Sequence, residues 1–143
     1  MEQRAEIPYD RIHAGDVFHA VYRLTSELAR AYDELIGTDA RDGRPPARAP
    51  APGDPVPPWV FCAFTPLYDA LGGRYEQGTI HLKHRVESFA VARVGDELDV
   101  EVRVTGKYVR RNRDHAVLEM DLRRGGEPVC RITSTFLWGF ANR

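Results

Sequence analysis

The sequence predicts an α+β fold in which a curved antiparallel sheet wraps around one buried helix. Apolar and polar side chains alternate along several runs between residues 79 and 138, as they do in strands with one buried face. Polar turns containing Gly, Asn or Asp separate these runs, which is typical of β-hairpins. An apolar segment at 59–71 precedes them, and a sheet with one apolar face needs such a cover.

Four long strands are expected in this half of the chain, joined as one antiparallel meander. They are the runs 79–86, 98–104, 116–122 and 129–138, with turns at 94–97, 111–114 and 125–127. In the first run, alternation puts His81, Lys83 and Arg85 on one face and Ile80, Leu82, His84 and Val86 on the other. One of the two histidines is therefore expected to face the interior and the other to face solvent.

The first half of the chain supplies a strand, a helix and an irregular segment. In the strand, Val17, His19 and Val21 lie on one side, and Phe18, Ala20 and Tyr22 lie on the other. Apolar residues at helical spacing predict an amphipathic helix over 27–36, with a hydroxyl residue as its N-cap and Gly37 at its end. Seven of the ten prolines then lie within 45–58, so a Pro-rich loop is expected at about 38–58.

The segment from Trp59 to Leu71 is apolar on every side and is expected to be a fully buried helix. Pro66 fits the first turn of a helix better than its interior, with Thr65 as the cap. The helix therefore either begins at Thr65 or runs from about Trp59 with a kink. We expect the continuous form, ending at Gly72 and Gly73. A curved sheet around one apolar helix is the hot-dog architecture, here as a single domain over 1–143.

The composition excludes several classes of function. The 20 Lys and Arg residues balance 21 Asp and Glu residues, so no net field favours nucleic acid or an anionic membrane. Cys62 and Cys130 form no disulfide framework, no Cys/His spacing suggests zinc, and no Gly-rich phosphate loop is present. No signal peptide or membrane span is visible. A cytoplasmic protein without a metal or cofactor is expected.

Three stretches of the chain resemble a known family. They are 11–18 with 23–37 (first strand and helix), 57–64 (entry to the central helix) and 89–102 (a strand around a Gly-Asp turn). In this order they resemble the MaoC-like hot-dog domains, and most of all the N-terminal MaoC-type dehydratase subfamily. That subfamily includes non-catalytic subunits of mycobacterial hydroxyacyl-thioester dehydratases.

The sequence departs from this family where the family's chemistry lies. Active members carry Gly-Asp, Asn-Pro and His after the first helix, and the Asp and His add water to an enoyl thioester. Here Thr38 stands in place of the Asp and Gly43 in place of the His. Asp39 or Asp42 is a candidate to replace the acid after a shift of register, but no nearby histidine is a candidate to replace the base. Val91 also stands where a proline usually precedes the Gly-Asp turn.

The resemblance implies an acyl-thioester binding subunit of the (R)-specific enoyl-thioester hydratase or 3-hydroxyacyl-thioester dehydratase type, with the usual Asp/His pair missing. Coenzyme A or acyl carrier protein would carry the acyl group. Because hot-dog sheets join edge to edge, a homodimer or a heterodimer with a catalytic MaoC-like subunit is expected. The alternatives are a hot-dog acyl thioesterase and an active dehydratase that uses relocated residues.

The candidate catalytic residues are those able to exchange protons with a substrate, namely Asp39, His81 and Asp69. A strand histidine is more often exposed or structural, and Asp69 fits either a thioesterase carboxylate or an exposed helix end. The candidate substrate contacts are Trp59, Val60, Phe61, Phe64, Tyr68 and His84. Backbone N–H groups near Trp59 and Val60 are expected to polarise the thioester oxygen, and Phe61, Phe64 and Tyr68 to line an acyl tunnel. Trp59 also fits an ordinary core position.

Overall fold

The computed structural model describes residues 3–36 and 50–142, which form nine β-strands and two α-helices. The strands are β1 (Glu6–Ile7), β2 (Val17–Arg23), β3 (Pro55–Val56), β4 (Arg74–Tyr75), β5 (Ile80–Ser88), β6 (Ala92–Arg93), β7 (Glu97–Arg110), β8 (Arg113–Arg124) and β9 (Glu127–Leu137). The helices are α1 (Ser26–Ile36) and α2 (Thr65–Leu71), and short 3-10 turns occupy Tyr9–Arg11, Pro58–Cys62 and Phe140–Asn142.

The main sheet is antiparallel and has the strand order β2-β7-β8-β9-β5. The four long strands predicted from alternation are therefore confirmed, but the meander is wrong at its first connection. β5 pairs with β9, not with β7, because the chain after β5 crosses over through β6, which pairs with β3. Alternation defines the two faces of a strand and leaves its partner undefined, so β5 lies at the edge of the sheet.

Two of the predicted turns have backbone angles that explain their sequences. Arg111 and Asn112 have φ of 53° and 60°, and Gly125 and Gly126 have φ of 54° and 86°. Two consecutive residues with positive φ are the mark of the tight hairpin turn whose twist matches the flanking strands. These turns fix the register of β7 on β8 and of β8 on β9.

One face of the sheet is apolar and lines the core. The inward residues of the three central strands are Leu98, Val100, Val102 and Val104 on β7, Ala116, Leu118, Met120 and Leu122 on β8, and Cys130, Ile132, Ser134 and Phe136 on β9. On β2 the side formed by Phe18, Ala20 and Tyr22 faces inward, with Tyr22 buried and the other two packed against the core.

The segment that crosses this face is not the continuous helix expected from its composition. The 3-10 turn at Pro58–Cys62 and helix α2 are separate pieces, because Ala63 between them is extended, with ψ of 146°. Pro66 lies in the first turn of α2, where its missing N–H is not needed. Gly72, with φ of 71°, ends the helix in the left-handed region. The shorter of the two alternatives, a helix from Thr65, is the one that forms.

The region between the first strand and the central segment is described only in part. α1 begins one residue before the predicted helix, and the Thr25 hydroxyl accepts a hydrogen bond from the Leu28 N–H at 3.1 Å, as an N-cap does. Residues 37–49 lie outside the described residues. The last part of the predicted Pro-rich loop is more regular than expected, since β3 pairs with β6. Neither described helix is long and apolar enough to cross a membrane.

The burial pattern along β7 gives a direct stability test. Val102 has no exposed surface, whereas Val109 on the same strand is 63% exposed. We expect Val102→Ala to lower the free energy of unfolding by about 2 kcal/mol, through lost burial and an unfilled cavity. Val109→Ala should change it by less than about 1 kcal/mol. Urea unfolding of the two variants measures both values, and equal losses would contradict the assigned faces.

Candidate functional site

A β-bulge in β5 brings the two strand histidines to the same face of the sheet. His81 pairs with Phe136, but the next pairs are Lys83 with Thr135 and His84 with Ser134, so the register shifts at Leu82. Phe136 and Ser134 are both inward residues of β9. The expectation that His81 and His84 lie on opposite faces is therefore wrong, because it assumed unbroken alternation. Bulges re-aim side chains in this way next to functional sites.

The two imidazoles are in contact with each other and with a serine. Nε2 of His81 lies 3.3 Å from Nδ1 of His84, and the same Nδ1 lies 3.1 Å from the Ser134 hydroxyl oxygen. The His81 ring is stacked on Phe136, with ring centroids 4.7 Å apart. Phe64 of the central segment packs on the same histidine with ring centroids 5.7 Å apart. The rings of Phe136 and Phe64 restrict the position of the His81 ring. His81 and Ser134 together restrict the position of the His84 ring.

His84 and Ser134 border a small apolar pocket between the central segment and the sheet. The apolar walls are Phe61, Phe64 and Leu67 on one side and Leu118, Met120 and Ile132 on the other. The pocket volume is about 10 Å³, which is space for one water molecule. The site thus combines two titratable rings, a hydroxyl group and a cavity of the size of a water molecule.

The electrostatic environment keeps His81 uncharged near neutral pH. Burial lowers the pKa of His81, and the neighbouring His84 lowers it further, because two protonated rings in contact repel each other. A hydrogen bond to the Lys83 backbone acts in the opposite direction and raises this pKa.

The residues predicted to contact the substrate do not all line the pocket. Phe61 and Phe64 line the pocket. Val60 is fully buried and its N–H donates to the Pro57 carbonyl at 3.1 Å, so this N–H is already paired inside the 3-10 turn. Tyr68 does not line the pocket and instead packs between Phe64 and Tyr75 in an aromatic cluster. The side chain of Trp59 lies outside those described.

Asp69 is the predicted catalytic carboxylate that the structure describes, and it does not line this pocket. Asp39 lies outside the described residues. Asp69 is on the exposed side of α2, where its carboxylate lies 2.6 Å from the Arg4 guanidinium in a surface groove. None of its recorded contacts is with the histidine pair. A role for either residue stays a prediction.

Ser134 is the residue of the site that the sequence patterns failed to single out. It is 4% exposed and is the one inward polar residue among the apolar inward positions of β9. A hydroxyl group in the middle of an apolar strand face needs a hydrogen-bond partner, and here that partner is His84. The interruption of the apolar pattern at this position is the signal that points to a site.

The other three of the chain's five histidines have other surroundings. His13 is exposed beside Asp16, and His19 lies on the outward side of β2 opposite Glu101. His115 stacks on Tyr108 and its Nδ1 lies 2.9 Å from the Arg113 carbonyl oxygen, to which it donates a proton. Among the described residues, His84 is the histidine that borders the pocket, and His81 contacts it from behind Phe64 and Phe136.

Neither cysteine is poised as a nucleophile. Burial raises the pKa of both thiols, that of Cys130 to about 11, so both are protonated near neutral pH. Within the described residues, no three His, Cys, Asp or Glu side chains cluster in a way that could hold a metal ion. The proton chemistry available at the pocket is therefore that of the histidine pair.

Solved structures with the same fold are known. An (R)-hydratase from A. caviae involved in PHA biosynthesis matches with a TM-score of 0.61 and 18% identity, over 89% of this chain and 97% of that one. A MaoC-like dehydratase from Rhodospirillum rubrum matches with a TM-score of 0.62 and 21% identity, over 90% and 94%. The C-terminally truncated HadBC (3R-hydroxyacyl-ACP dehydratase) complex from Mycobacterium tuberculosis matches with a TM-score of 0.61 and 14% identity, over 86% and 95%.

Sequence comparison adds no relative, since no protein-family model and no curated protein matches this chain. The structural matches extend over most of the chain. Their sequence identities are low, so what they share with this chain is the arrangement of the backbone. The chain therefore has the hot-dog fold of the MaoC-like dehydratases and (R)-hydratases.

Proposed function

We propose that this chain binds an acyl thioester, carried by coenzyme A or acyl carrier protein, as a domain of the hydratase/dehydratase type. The single observation behind this proposal is the apolar pocket under the central segment, bordered by His84 and Ser134. An apolar cleft with a few convergent polar groups is the usual form of a small-molecule site. The proteins of the same fold that are named as a hydratase and a 3-hydroxyacyl-ACP dehydratase support the choice of substrate class.

An acyl chain does not fit a pocket of this size without movement. Phe64 of the central segment is partly exposed and contacts His81, so rotation of its ring would enlarge the pocket toward the surface. The thioester carbonyl would then lie near His84, with the acyl chain between the central segment and β8 and β9. The ring of Phe64 acts as the limit on chain length in this proposal.

The first form of this function is an accessory subunit. The usual Asp/His pair is missing from the sequence at 37–43, so a catalytic partner would act on the acyl group that this chain holds. The second form is a hydratase that uses its own relocated residues. The contact between His81, His84 and Ser134 at the pocket is the observation that favours this second form.

The edge of the sheet is the surface proposed for a second subunit. In the part of the chain that the structure describes, β5 has one partner strand, and its apolar side chains Ile80, Leu82 and Val86 are exposed together with Phe89 and Val91 just beyond it. An exposed edge strand with apolar side chains is normally covered by another chain. We propose that a second copy or a related subunit pairs with β5, beside the pocket.

Acyl-CoA binding tests the proposed function. We expect butyryl-CoA to bind at least about tenfold more tightly than free coenzyme A, because the acyl chain adds buried apolar surface. Phe64→Leu should raise the affinity for octanoyl-CoA relative to butyryl-CoA several-fold, about 1 kcal/mol, by widening the pocket. Calorimetric titration measures these affinities. Tyr108→Leu, in the remote β7–β8 hairpin, is the control. Equal affinities for butyryl-CoA and free coenzyme A would refute acyl binding.

Edge pairing is tested with one substitution made on each edge strand. Val86 of β5 is 37% exposed and Val17 of β2 is 41% exposed. We expect a dimer at micromolar concentration in analytical ultracentrifugation. Val86→Glu should weaken it by at least about 30-fold, or 2 kcal/mol, since a charge would be buried at the interface. Val17→Glu should leave the dimer intact. A monomeric wild-type chain, or dissociation by the β2 variant alone, would speak against β5.

The lowered pKa of His81 predicts a dependence of stability on pH. The ordinary pKa of a histidine is 6.5, and that of His81 in the folded chain is lower. The unfolded chain therefore binds a proton first as the pH falls, so this stabilising contribution is present above pH 6.5 and is lost as the pH drops through the folded pKa. Unfolding measured between pH 7.5 and 5 (a range chosen to span the usual His pKa of about 6.5) should show a smaller loss for His81→Gln than for the wild type. An identical loss would mean that His81 titrates normally.

A further inference from the structure

We propose that the tip of the β7–β8 hairpin is a docking surface for an acidic carrier protein, so that a protein and not coenzyme A presents the acyl group to this chain. The arginine tip consists of Val109, Arg110, Arg111 and Arg113. The proposal rests on the proposed acyl-thioester binding and chooses between its two carriers. Three features of the tip support it, namely its charge, its projecting shape and its position relative to His81.

Positive charge is concentrated at the arginine tip although the whole chain is nearly neutral. Arg110 and Arg113 lie directly opposite each other on β7 and β8, and like charges in this position destabilise a sheet. Arg111 occupies the turn between them, with φ of 53°. No carboxylate among the described residues is paired with Arg110 or Arg111. Asp114, the nearest acidic residue along the chain, is opposite Val109 and thus on the other face of the hairpin. The charge of the tip is left for a partner to neutralise.

The hairpin that carries the tip is fixed at its base. The Tyr9 hydroxyl donates a hydrogen bond to the His115 carbonyl at 2.9 Å, and the His115 ring stacks on Tyr108 with ring centroids 4.7 Å apart. Lys107 is engaged within the protein, since its ammonium group donates to the Ile12 carbonyl at 2.7 Å. The tip is therefore held in place before a partner binds, which lowers the entropy cost of docking.

The shape and size of the arginine tip favour a protein partner. Small molecules bind in concave sites, whereas the tip is a projecting turn whose Val109 is 63% exposed. It has three arginines, of which Arg113 also lies over the Phe140 ring at 4.4 Å. Membrane anchoring takes roughly four to eight cationic residues, and strong DNA binding takes roughly six to ten phosphate contacts. An exposed apolar side chain beside a few arginines instead suits a protein surface of complementary negative charge.

The arginine tip lies at the end of the sheet that carries His81. Ala116 of β8, Phe136 of β9 and His81 of β5 form one row across the sheet. Arg113 is three positions from that row along β8, and β5 is two strands away, which places the tip about 14 Å from His81. An extended phosphopantetheine arm spans such a distance. A carrier protein docked on the tip can therefore reach the histidine pair with its acyl group.

The test compares two carriers of the same acyl group on the full chain. The probes are butyryl-CoA and an acidic acyl carrier protein that bears a butyryl group. Arg110→Gln combined with Arg111→Asn removes two charges, and Asn tolerates the positive φ of the turn. We expect this tip variant to bind the butyryl carrier protein at least about tenfold more weakly than the wild type does, because complementary charge is lost. Its affinity for butyryl-CoA should change less than about twofold. Calorimetric titration measures both affinities.

Arg103→Gln combined with Arg123→Gln is the matched control, since it removes the same charge from exposed positions elsewhere on β7 and β8. This control should keep the wild-type affinity for the carrier protein. An equal loss in the control would mean that net charge and not the tip attracts the carrier, which would overturn the proposal. Raising NaCl from about 0.05 M to about 0.5 M should weaken carrier binding by the wild type more than by the tip variant, because salt screens exposed charges.

The remaining outcomes separate this inference from the proposed function. Equal losses of affinity for both probes in the tip variant would assign the arginines to the phosphopantetheine phosphate that the two carriers share, and would overturn the protein-docking surface. Butyryl-CoA binding without carrier-protein binding would overturn the inference and leave the proposed function. Absence of binding to both probes would defeat the proposed function itself. Vesicles of phosphatidylcholine and phosphatidylserine that retain the wild type but not the tip variant, with carrier affinity unchanged, would replace the carrier protein by a membrane.

Discussion

The packing of the central segment against the concave face of the sheet is the constraint on which the rest of the structure depends. The inward residues of β7, β8 and β9 form a continuous apolar surface, and the segment from the 3-10 turn to α2 is what shields it from water. Phe61 contacts Tyr22 near one edge of the sheet, and Phe64 contacts Phe136 and His81 near the other. The same contacts that close the core therefore also position the histidine pair.

The break at Ala63 is what allows one short segment to cover a wide face. A single straight helix contacts a sheet along one line, whereas two pieces at an angle follow its curvature. The cost is an extended residue whose backbone groups lie outside any helix. The break also shapes the pocket, because Phe61 lies before it and Phe64 after it, and both side chains line the pocket. The break that fits the segment to the sheet therefore also forms one wall of the pocket.

The sequence allowed prediction of the faces of the strands and of the turns, because period-2 alternation and Gly- or Asn-containing turns are local properties. The partner of β5 and the break at Ala63 were not predictable in this way, since both depend on contacts between residues distant in the chain. The candidate site was likewise predictable only in part. His81 and His84 were identified from the sequence, but alternation assigned them to opposite faces. The extra residue at Leu82 places both histidines on the same face, and no local sequence pattern predicts this bulge.

The order of the strands in the chain has a consequence for when the site forms during synthesis. Within the described residues β5 pairs only with β9, and β9 follows the other eight strands in the chain, so it leaves the ribosome after them. Until then β5 has no partner on either side, and His84 has no Ser134 to contact. The indole N–H of Trp138, which donates to the Ile7 carbonyl across 131 positions of sequence, also forms only at this point. Closure of such distant contacts is slow, so the strand that carries both histidines is the last to be ordered and the one longest exposed to aggregation.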